Sequence, residues 1–305
     1  MKGTYFLARR TAETLREAAG YFQQAVQRDP AYALAWVGLA GATMLQNEYD
    51  QVLAATVLPK AKQAALRALE LDPELAEAHA SLGWLSQYLF DWAGAEKELR
   101  KAIQLKPAYP SAHLWYALLL SYQGRNQEAL DQANEARRLD PTSLIINNLL
   151  AAVRLFSGDL EGAVEYYKRT LEMDPGFQIS HHALGWTYAA QGKYAEAETE
   201  FEKAPGLVTR TEEPRGVAFA LSGRRADALR LVSEMEERAR RGYVSPAARG
   251  YIWLALGEKD KGYALLEKAC AETDWRLREA KVNPLYVSLR SDPRFKALLK
   301  CIHLD

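Results

Sequence analysis

Apolar, small and polar positions recur along this chain with a fixed spacing. The stretch LDPELAEAHASLGWLSQYLFDWAGAEKELRKAIQLKP, residues 71–107, is dense in alanine and ends as it begins, with an apolar residue, a polar residue and a proline. The closing proline recurs every 34 residues, at Pro73, Pro107, Pro141 and Pro175. An earlier tripeptide of this kind ends at Pro30, 43 residues before Pro73. The fixed 34-residue period predicts stacked helix-turn-helix units.

Each unit also carries small residues at matching places. In steps of 34 residues, these places hold Gly83, Ala95 and Ala102, then Ala117, Ala129 and Ala136, then Ala151, Ala163 and Thr170, then Gly185, Ala197 and Ala204. Small side chains there let the helices of a unit approach closely. The turns between helices are predicted at Gly124, Gly158, Gly192, Gly223 and Gly257, since glycine supplies the positive φ that ends a helix. Each closing proline ends the second helix, because it disfavours helical geometry in the residue before it.

These residues resemble the tetratricopeptide repeat family. The family pattern is visible as Leu184, Gly185, Tyr188, Ala197, Phe201 and Ala204. The resemblance implies an all-α fold, a right-handed superhelical solenoid of antiparallel helix pairs, with about six to seven repeats and a C-terminal capping helix. It also implies a protein that acts by binding.

The spacing predicts four regions along the chain. Residues 1–32 are a degenerate first repeat or N-terminal cap, and 33–204 are regular repeats with a nine-residue insertion near 46–58. Within that unit, Pro59 is expected to open the second helix. Residues 205–271 are a shortened junction and two degenerate repeats, and 272–305 are a C-terminal cap. Apolar residues of the cap favour either closure of the last repeat or self-association, so the oligomeric state stays open.

Residues 251–260 and 289–299 carry a second, narrower resemblance, to the C-terminal ending of a class of bacterial arrays. In that class the array is often the sensory or partner-binding half of a signalling protein. The other half is a winged-helix DNA-binding domain, a Ser/Thr kinase domain or a class III nucleotide cyclase domain. No such effector is recognisable in this sequence.

Composition restricts the partners. The 39 basic residues balance 39 acidic ones, so no net charge draws the chain to nucleic acid or to an anionic membrane. No signal-peptide core is visible near the start, and the longest apolar run, 114–120, is too short to span a bilayer. Cys270 and Cys301 are therefore expected to be unpaired helix cysteines in a reducing compartment, and the chain is predicted to be cytoplasmic.

No motif for catalysis, a cofactor or a metal is found. His79, His113 and His181 occupy one position in three repeats, with Asn147 at that position in the repeat between. Equivalent positions in successive repeats lie roughly 10 Å or more apart, so these histidines cannot share an ion. They are interpreted as packing residues. Nine arginines within 210–249 alternate with acidic residues, as on solvated helix faces, although arginine clusters can also bind phosphates.

The family resemblance places the first helix of each pair on a concave groove. The positions transferred from the family, the groove residues, are Trp84, Tyr88, Trp115, Tyr122, Asn148, Phe156, His182 and Trp186. This mainly aromatic groove suits an apolar peptide, a partner helix or the array's own terminal helix. Alternatively, some of the rings pack between helices. It lacks the lysines and arginines of a carboxylate clamp, and no basic track for nucleic acid accompanies it.

The sequence therefore predicts a non-catalytic scaffold that binds a peptide or a partner helix in this groove. The alternative is a regulatory domain of a bacterial signal-transduction or transcription-regulatory protein, which senses a ligand or a partner.

Overall fold

The computed structural model describes residues 2–50 and 52–305, and its regular elements there are all helical. The α-helices are α1 (Lys2–Arg9), α2 (Ala12–Arg28), α3 (Ala33–Tyr49), α4 (Ala54–Leu71), α5 (Ala76–Tyr88), α6 (Trp92–Leu105), α7 (Pro110–Gln123), α8 (Asn126–Leu139), α9 (Leu144–Phe156), α10 (Leu160–Met173), α11 (Gln178–Ala190), α12 (Tyr194–Glu202), α13 (Val208–Leu221), α14 (Arg225–Ala239), α15 (Pro246–Ala255), α16 (Lys259–Ala271) and α17 (Pro293–Cys301). Short 3-10 helices span Pro205–Leu207, Trp275–Glu279 and Pro284–Leu289.

Consecutive helices pair, and each pair packs against its neighbours along the chain, so the molecule is an all-helical solenoid. The small positions predicted from the 34-residue period lie in these contacts. Ala95, Ala129, Ala163 and Ala197 are fully buried. A Cβ added at Gly185 would lie 2.7 Å from the Phe201 ring, so this glycine is needed for close approach of α11 to α12.

The predicted turn glycines have the left-handed conformation. Gly124, Gly158, Gly192, Gly223 and Gly257 have φ between 74° and 89°. An L side chain at these positions would clash with the backbone, whereas glycine adopts positive φ at no steric cost. The turn prediction is therefore confirmed.

One side-chain position links the repeats to their closing prolines. Six residues after each proline, a side-chain nitrogen lies at hydrogen-bond distance from the proline carbonyl, 2.8–3.1 Å away, in Trp36, His79, His113, Asn147 and His181. A carbonyl oxygen only accepts, so each of these histidines carries a proton on Nε2 and donates it to the proline carbonyl. Tryptophan, histidine and asparagine share this N–H, which explains why they alternate at the position. The histidines thus bond to the turn as well as pack.

The insertion differs from its prediction. Only residues 50–53 separate α3 from α4, because the extra residues lengthen both helices, to 17 and 18 residues against 14 each in α7 and α8. The second helix begins at Ala54, and Pro59 lies inside it. The prediction that Pro59 opens this helix was wrong. Pro59 is the sixth residue of α4, past the first turn, so its missing N–H leaves the Ala55 carbonyl without the usual intrahelical partner.

The cysteine prediction was also wrong. Cys270, at the end of α16, and Cys301, at the end of α17, form a disulfide with their Cα atoms 6.6 Å apart. They are separated by 31 residues in sequence and meet because α17 folds back onto α16. No C-x-x-C spacing signals such a pair.

The C-terminal residues close the array on themselves. Phe295, Leu298 and Ile302 are buried in the largest apolar cluster of the fold. The indole Nε1 of Trp92, the first residue of α6, donates to the Ile302 carbonyl at 2.6 Å. The apolar cap residues therefore cover the array's own repeats. No helix in the described residues has the length and apolarity required to cross a bilayer.

Candidate functional site

The groove residues lie on four consecutive first helices and converge on one strip. Two come from each helix, with Trp84 and Tyr88 on α5, Trp115 and Tyr122 on α7, Asn148 and Phe156 on α9, and His182 and Trp186 on α11. The structure thus brings all eight to one side of the array. Their role in binding a partner stays a prediction.

Ring contacts connect this strip. Trp84 stacks on Trp115 with ring centroids 4.5 Å apart. Farther along, Phe156 lies 5.8 Å from Tyr122 and 6.1 Å from Trp186. Trp115 and Trp186 are half-buried, and the other six groove residues are buried. Most of these rings therefore do not face solvent.

A stretch of the chain itself covers part of the groove. The closing segment, residues 275–289, leaves α16 and contributes Trp275 and Arg278 to the groove. The Arg278 guanidinium lies over the Tyr88 ring, 3.9 Å from its centroid, and 5.7 Å from the centroid of Tyr122. Such stacking of a guanidinium on aromatic faces is favourable, especially when both are removed from water.

Glu48, near the end of α3, holds the closing segment by an ion pair. Its carboxylate accepts a hydrogen bond from Arg278 Nη2 at 2.7 Å, one from Arg210 Nη1 at 2.7 Å, and one from the Tyr88 hydroxyl. Burial alone would raise the pKa of this carboxyl, but the charges of Arg278 and Arg210 lower the pKa to about 2. Glu48 is therefore a buried anion shared by two arginines, one of them 230 residues away in sequence.

Trp275 anchors the closing segment on the N-terminal side of the groove. It is buried in an apolar cluster with Met44, Trp84 and Leu207. The guanidinium of Arg210 lies 4.7 Å from the ring centroids of both Tyr49 and Trp275. Arg210 thus combines two cation–π contacts with its ion pair to Glu48.

Arg276 and Tyr286 fix the other side of the closing segment. Both contact Glu213 on α13: Arg276 Nε lies 2.9 Å from the carboxylate, and the Tyr286 hydroxyl donates to it. Tyr286 also stacks on Tyr251 of α15, with centroids 3.8 Å apart. The segment is therefore bonded to helices from both halves of the array.

A cavity of about 90 Å³ remains between the closing segment and the groove residues. Among its lining residues, four carry a buried polar atom with no hydrogen-bond partner in the described chain, namely Tyr167 Oη, His182 Nδ1, Trp186 Nε1 and Arg210 Nε. Burial, with Arg210 and Arg276 nearby, lowers the pKa of His182 well below its usual value, so the imidazole is neutral. The half-buried Glu279 also lines the cavity, and burial raises its pKa to about 8.

Sequence reasoning missed the charged part of this site. Glu48, Arg278 and Glu279 were not singled out, and Arg210 was interpreted as part of a solvated arginine-rich face. Arg210 is half-buried and its guanidinium is bonded to Glu48, so that interpretation was wrong for it. One signal was available: Glu48 is a lone acidic residue in the otherwise uncharged helix ALAWVGLAGATMLQNEY.

The site offers binding groups rather than a recognisable catalytic set. Within residues 2–50 and 52–305, no three His, Cys, Asp or Glu side chains converge as metal ligands. The cavity residues supply aromatic faces, N–H donors and paired charges. Such a combination is typical of sites that bind small molecules or peptides.

Comparison with known proteins identifies relatives over part of the chain. Human tetratricopeptide repeat protein 6 is 23% identical over 62% of this chain and 35% of its own length. The transcriptional regulator HilA of Salmonella typhimurium is 25% identical over 47% of this chain and 26% of its own length. The chain thus spans about a third or less of the length of these curated relatives.

Solved structures share the fold across nearly the whole chain. The APC/C hetero-tetramer Cut9–Hcn1 superposes with a TM-score of 0.68 over 99% of this chain and 54% of that chain, at 14% identity. Human IFIT1, solved as a dimer with PPP-AAAA, has a TM-score of 0.60 over 85% of this chain and 69% of that chain, at 15% identity. At such identities the likeness shows the fold alone.

Family models described as tetratricopeptide repeat match residues 6–51, 87–143 and 155–212. These segments together cover just over half of the chain, and they include the repeat pattern at 184–204 and residues 87–107 of the repeat quoted first. The chain belongs to the tetratricopeptide repeat family.

Proposed function

We propose that the chain is a non-catalytic interaction scaffold that binds a peptide or a partner helix in its concave aromatic groove. Arrays of stacked helical repeats present extended concave surfaces for binding, which supports the general class. The observation that supports the finer proposal is the closing segment, a stretch with two short 3-10 helices that contributes Trp275 and Arg278 to the groove. Its anchors, Trp275 and Arg278, are of the kinds that dominate binding interfaces.

In this proposal an external partner competes with the closing segment. The groove residues under Arg278 become accessible only when its contacts with Tyr88 and Glu48 separate. Breaking a buried ion pair is costly, typically about 3–5 kcal/mol when one partner is removed. The partner would therefore supply its own cation and aromatic side chain, and its binding would release residues 275–289.

A peptide supplied in trans tests this competition. The probe is a fluorescent synthetic peptide of residues 273–290, added to the full-length wild-type chain and to Arg278→Ala. We expect the variant to bind the peptide at least about tenfold more tightly, because its own segment has lost an anchor worth more than 1.4 kcal/mol. Lys281→Ala, a lysine of the same segment without a described ion pair, is the matched control and should behave as the wild type. Equal, weak binding to all three chains would contradict the proposal.

The second candidate function is ligand sensing within a larger bacterial signalling or regulatory protein. It is favoured by the cavity, which the closing segment helps to line and whose other lining residues include four with a buried, unpartnered polar atom. The partial similarity to a transcriptional regulator agrees with it. An immunoblot of the source cell tests the larger-protein part: a band well above the 34.2 kDa of these residues supports it, and a band at 34.2 kDa contradicts it.

A further inference from the structure

The disulfide between Cys270 and Cys301 encloses the closing segment. Cys270 lies at the end of α16 and Cys301 at the end of α17, so residues 275–289 lie inside the loop that the bond closes. Cys301 is exposed and Cys270 is half-buried. The bond therefore lies at the surface of the array, whereas the anchors that it encloses, Trp275 and Arg278, are buried.

The backbone is strained next to both cysteines. Thr273 follows Cys270 with a φ of 56°, and His303 follows Cys301 with a φ of 57°. In each case the next residue donates its N–H across the last helical turn at 2.9 Å, which is also the bond that Arg125 makes after Gly124. The repeat turn uses glycine, whereas threonine and histidine adopt this left-handed conformation at a cost in free energy. The two helix ends joined by the disulfide therefore favour unwinding when the bond is absent.

The bond also limits the freedom that the closing segment gains when it leaves the groove. With the bond intact, the segment stays attached at both ends, because α16 and α17 remain joined. Without the bond, the far end of the segment is held only by the contacts of the cap, such as the hydrogen bond from Trp92 to the Ile302 carbonyl. A cross-link acts mainly by restricting the open chain, so its loss favours the open state.

The ion pairs of the segment are of a kind that can separate. Arg278 pairs with Glu48, and Arg276 pairs with Glu213. Attraction within a buried pair is largely offset by the loss of hydration, and both charges regain water when the segment leaves. Separation of the segment from the groove is therefore less costly than removal of one charge from either pair, and the constraint on the chain matters for how firmly the groove is closed.

We propose that the Cys270–Cys301 disulfide is a redox-controlled lock on the groove. The oxidised bond keeps the closing segment in place, and reduction of the bond by a dithiol lets the segment leave, which opens the groove to a partner. The proposal rests on the competition between partner and closing segment described under the proposed function, and it adds the regulation of that same site.

The reaction is a thiol–disulfide exchange. A thiolate of the dithiol attacks Sγ of the exposed Cys301, the bond between the two protein sulfurs breaks, and Cys270 leaves as a thiolate that takes up a proton. The second thiolate of the reductant then displaces the Cys301 sulfur, which also takes up a proton, and the reductant leaves as a disulfide. Two electrons and two protons thus pass from the dithiol to the protein.

A purely structural bond is the main alternative. In that case reduction lowers the stability of the cap, but the closing segment stays in the groove as long as the array is folded. The two alternatives differ in one measurable property, which is the access of a partner to the groove in the folded, reduced protein.

The fluorescent peptide of residues 273–290 measures this access, and it contains no cysteine that a reductant could change. It is titrated without denaturant into the full wild-type chain, with and without dithiothreitol. We expect reduction to tighten binding at least about tenfold, because the apparent affinity rises with the open fraction of the groove. Cys301→Ser cannot form the bond and should bind like the reduced wild type in both buffers. Equal, measurable binding to oxidised and reduced wild type would overturn the proposal.

Hydrogen–deuterium exchange of the oxidised and reduced wild type locates the opening and needs no variant. We expect reduction to speed up amide exchange at least about tenfold in residues 275–289 and to leave α7 to α10 unchanged, since a local opening exposes only the segment that moves. Faster exchange throughout the chain would overturn the proposal, because the bond would then stabilise the array as a whole. Unchanged exchange in residues 275–289 would overturn it as well.

Arg278→Ala separates a failure of this inference from a failure of the proposed function. If this variant binds the peptide more tightly than the wild type but reduction of the wild type changes neither binding nor exchange, the competition stands and the redox lock is wrong. If no chain binds the peptide but reduction speeds up exchange in residues 275–289 alone, the disulfide still controls the segment and the proposed competition is wrong.

Discussion

The regular repeats and the closing segment are held by different kinds of contact. In α5 to α12, each helix packs on its neighbours in sequence, and each proline turn bonds to a side chain six residues later. The closing segment instead contacts residues that lie up to 230 positions away, such as Glu48. The repeats are therefore locally determined, while the segment depends on the whole array being in place.

This difference shows how long-range contacts can connect the two ends of a solenoid whose repeats otherwise contact only their neighbours. Stability of a repeat array is close to a sum of local terms, and its ends need caps. Here the closing segment, which belongs to the C-terminal cap, lies in the groove. Its Arg278 pairs with Glu48 on α3, so the segment links both ends of the array. Changes in the closing segment should consequently have larger effects than changes of similar chemistry within a repeat.

Glu48→Gln should have the largest effect. It leaves the buried Arg278 and the half-buried Arg210 without their shared anion, and we expect a loss of about 3–5 kcal/mol in the free energy of unfolding, measured in urea. Glu70→Gln removes the exposed partner of Arg67 within α4, and should shift the unfolding midpoint little. Similar losses of unfolding free energy in the two variants would contradict the proposed difference between the closing segment and the repeats.

Reduction of the Cys270–Cys301 disulfide should rank second. The bond closes a loop of 31 residues, for which loop entropy predicts a stabilisation of about 3–4 kcal/mol. We expect dithiothreitol to lower the urea midpoint of the wild type and to have no effect on Cys301→Ser. A wild-type midpoint that reductant does not change would show that this bond does not stabilise the cap.

Glu279 and Glu48 should give opposite pH dependences. The pKa of Glu48 is about 2, below its ordinary value, so its stabilisation is present above about pH 4.5 and is lost as the pH falls toward 2. The pKa of Glu279 is about 8, so the folded state binds its proton more tightly, and stability falls as the pH rises from about 4.5 to 8. The charged groups facing Glu279 are Arg278, Glu213, Arg210 and Glu48.

Glu279→Gln should therefore raise the free energy of unfolding at pH 8, by on the order of 2 kcal/mol, and change it little at pH 5. Urea titrations at the two pH values measure this difference. A variant equally stable relative to wild type at both values would contradict the raised pKa.

Substitutions at His113 should have the smallest effects on stability. They test how much one hydrogen bond to a proline turn contributes to a repeat. His113→Leu removes the N–H that donates to the Pro107 carbonyl, and we expect a loss of about 1 kcal/mol. His113→Asn keeps a side-chain N–H, as Asn147 does in the next repeat, and should lose less. Equal losses in both variants would mean that packing alone accounts for the position.

The sequence was sufficient to predict the features that follow the 34-residue period. The 34-residue spacing located the helix pairs, the small residues between them and the positive-φ glycines such as Gly124, because these features depend on neighbouring residues. It also placed the groove residues on first helices that converge. The period does not encode the burial of these residues beneath the closing segment, because that segment comes from a distant part of the chain. Their binding role stays a prediction.

The features that the sequence did not reveal are all long-range. Cys270 meets Cys301, and Glu48 meets Arg278, only after the array has folded and its end has turned back. No periodic signal marks such pairs. The start of α4 was missed for a different reason. Proline is most common in the first turn of a helix, whereas Pro59 lies at the sixth position of α4.

The central claim is that the closing segment lies in the groove and is held there through Glu48 and Arg278. A double-mutant cycle with Glu48→Gln, Arg278→Gln and the double variant, measured by urea unfolding, tests it most directly. We predict a coupling energy of at least about 1.5 kcal/mol, as found for close charge pairs removed from water. A coupling near zero would mean that the two side chains do not meet in solution, and the claim would be wrong.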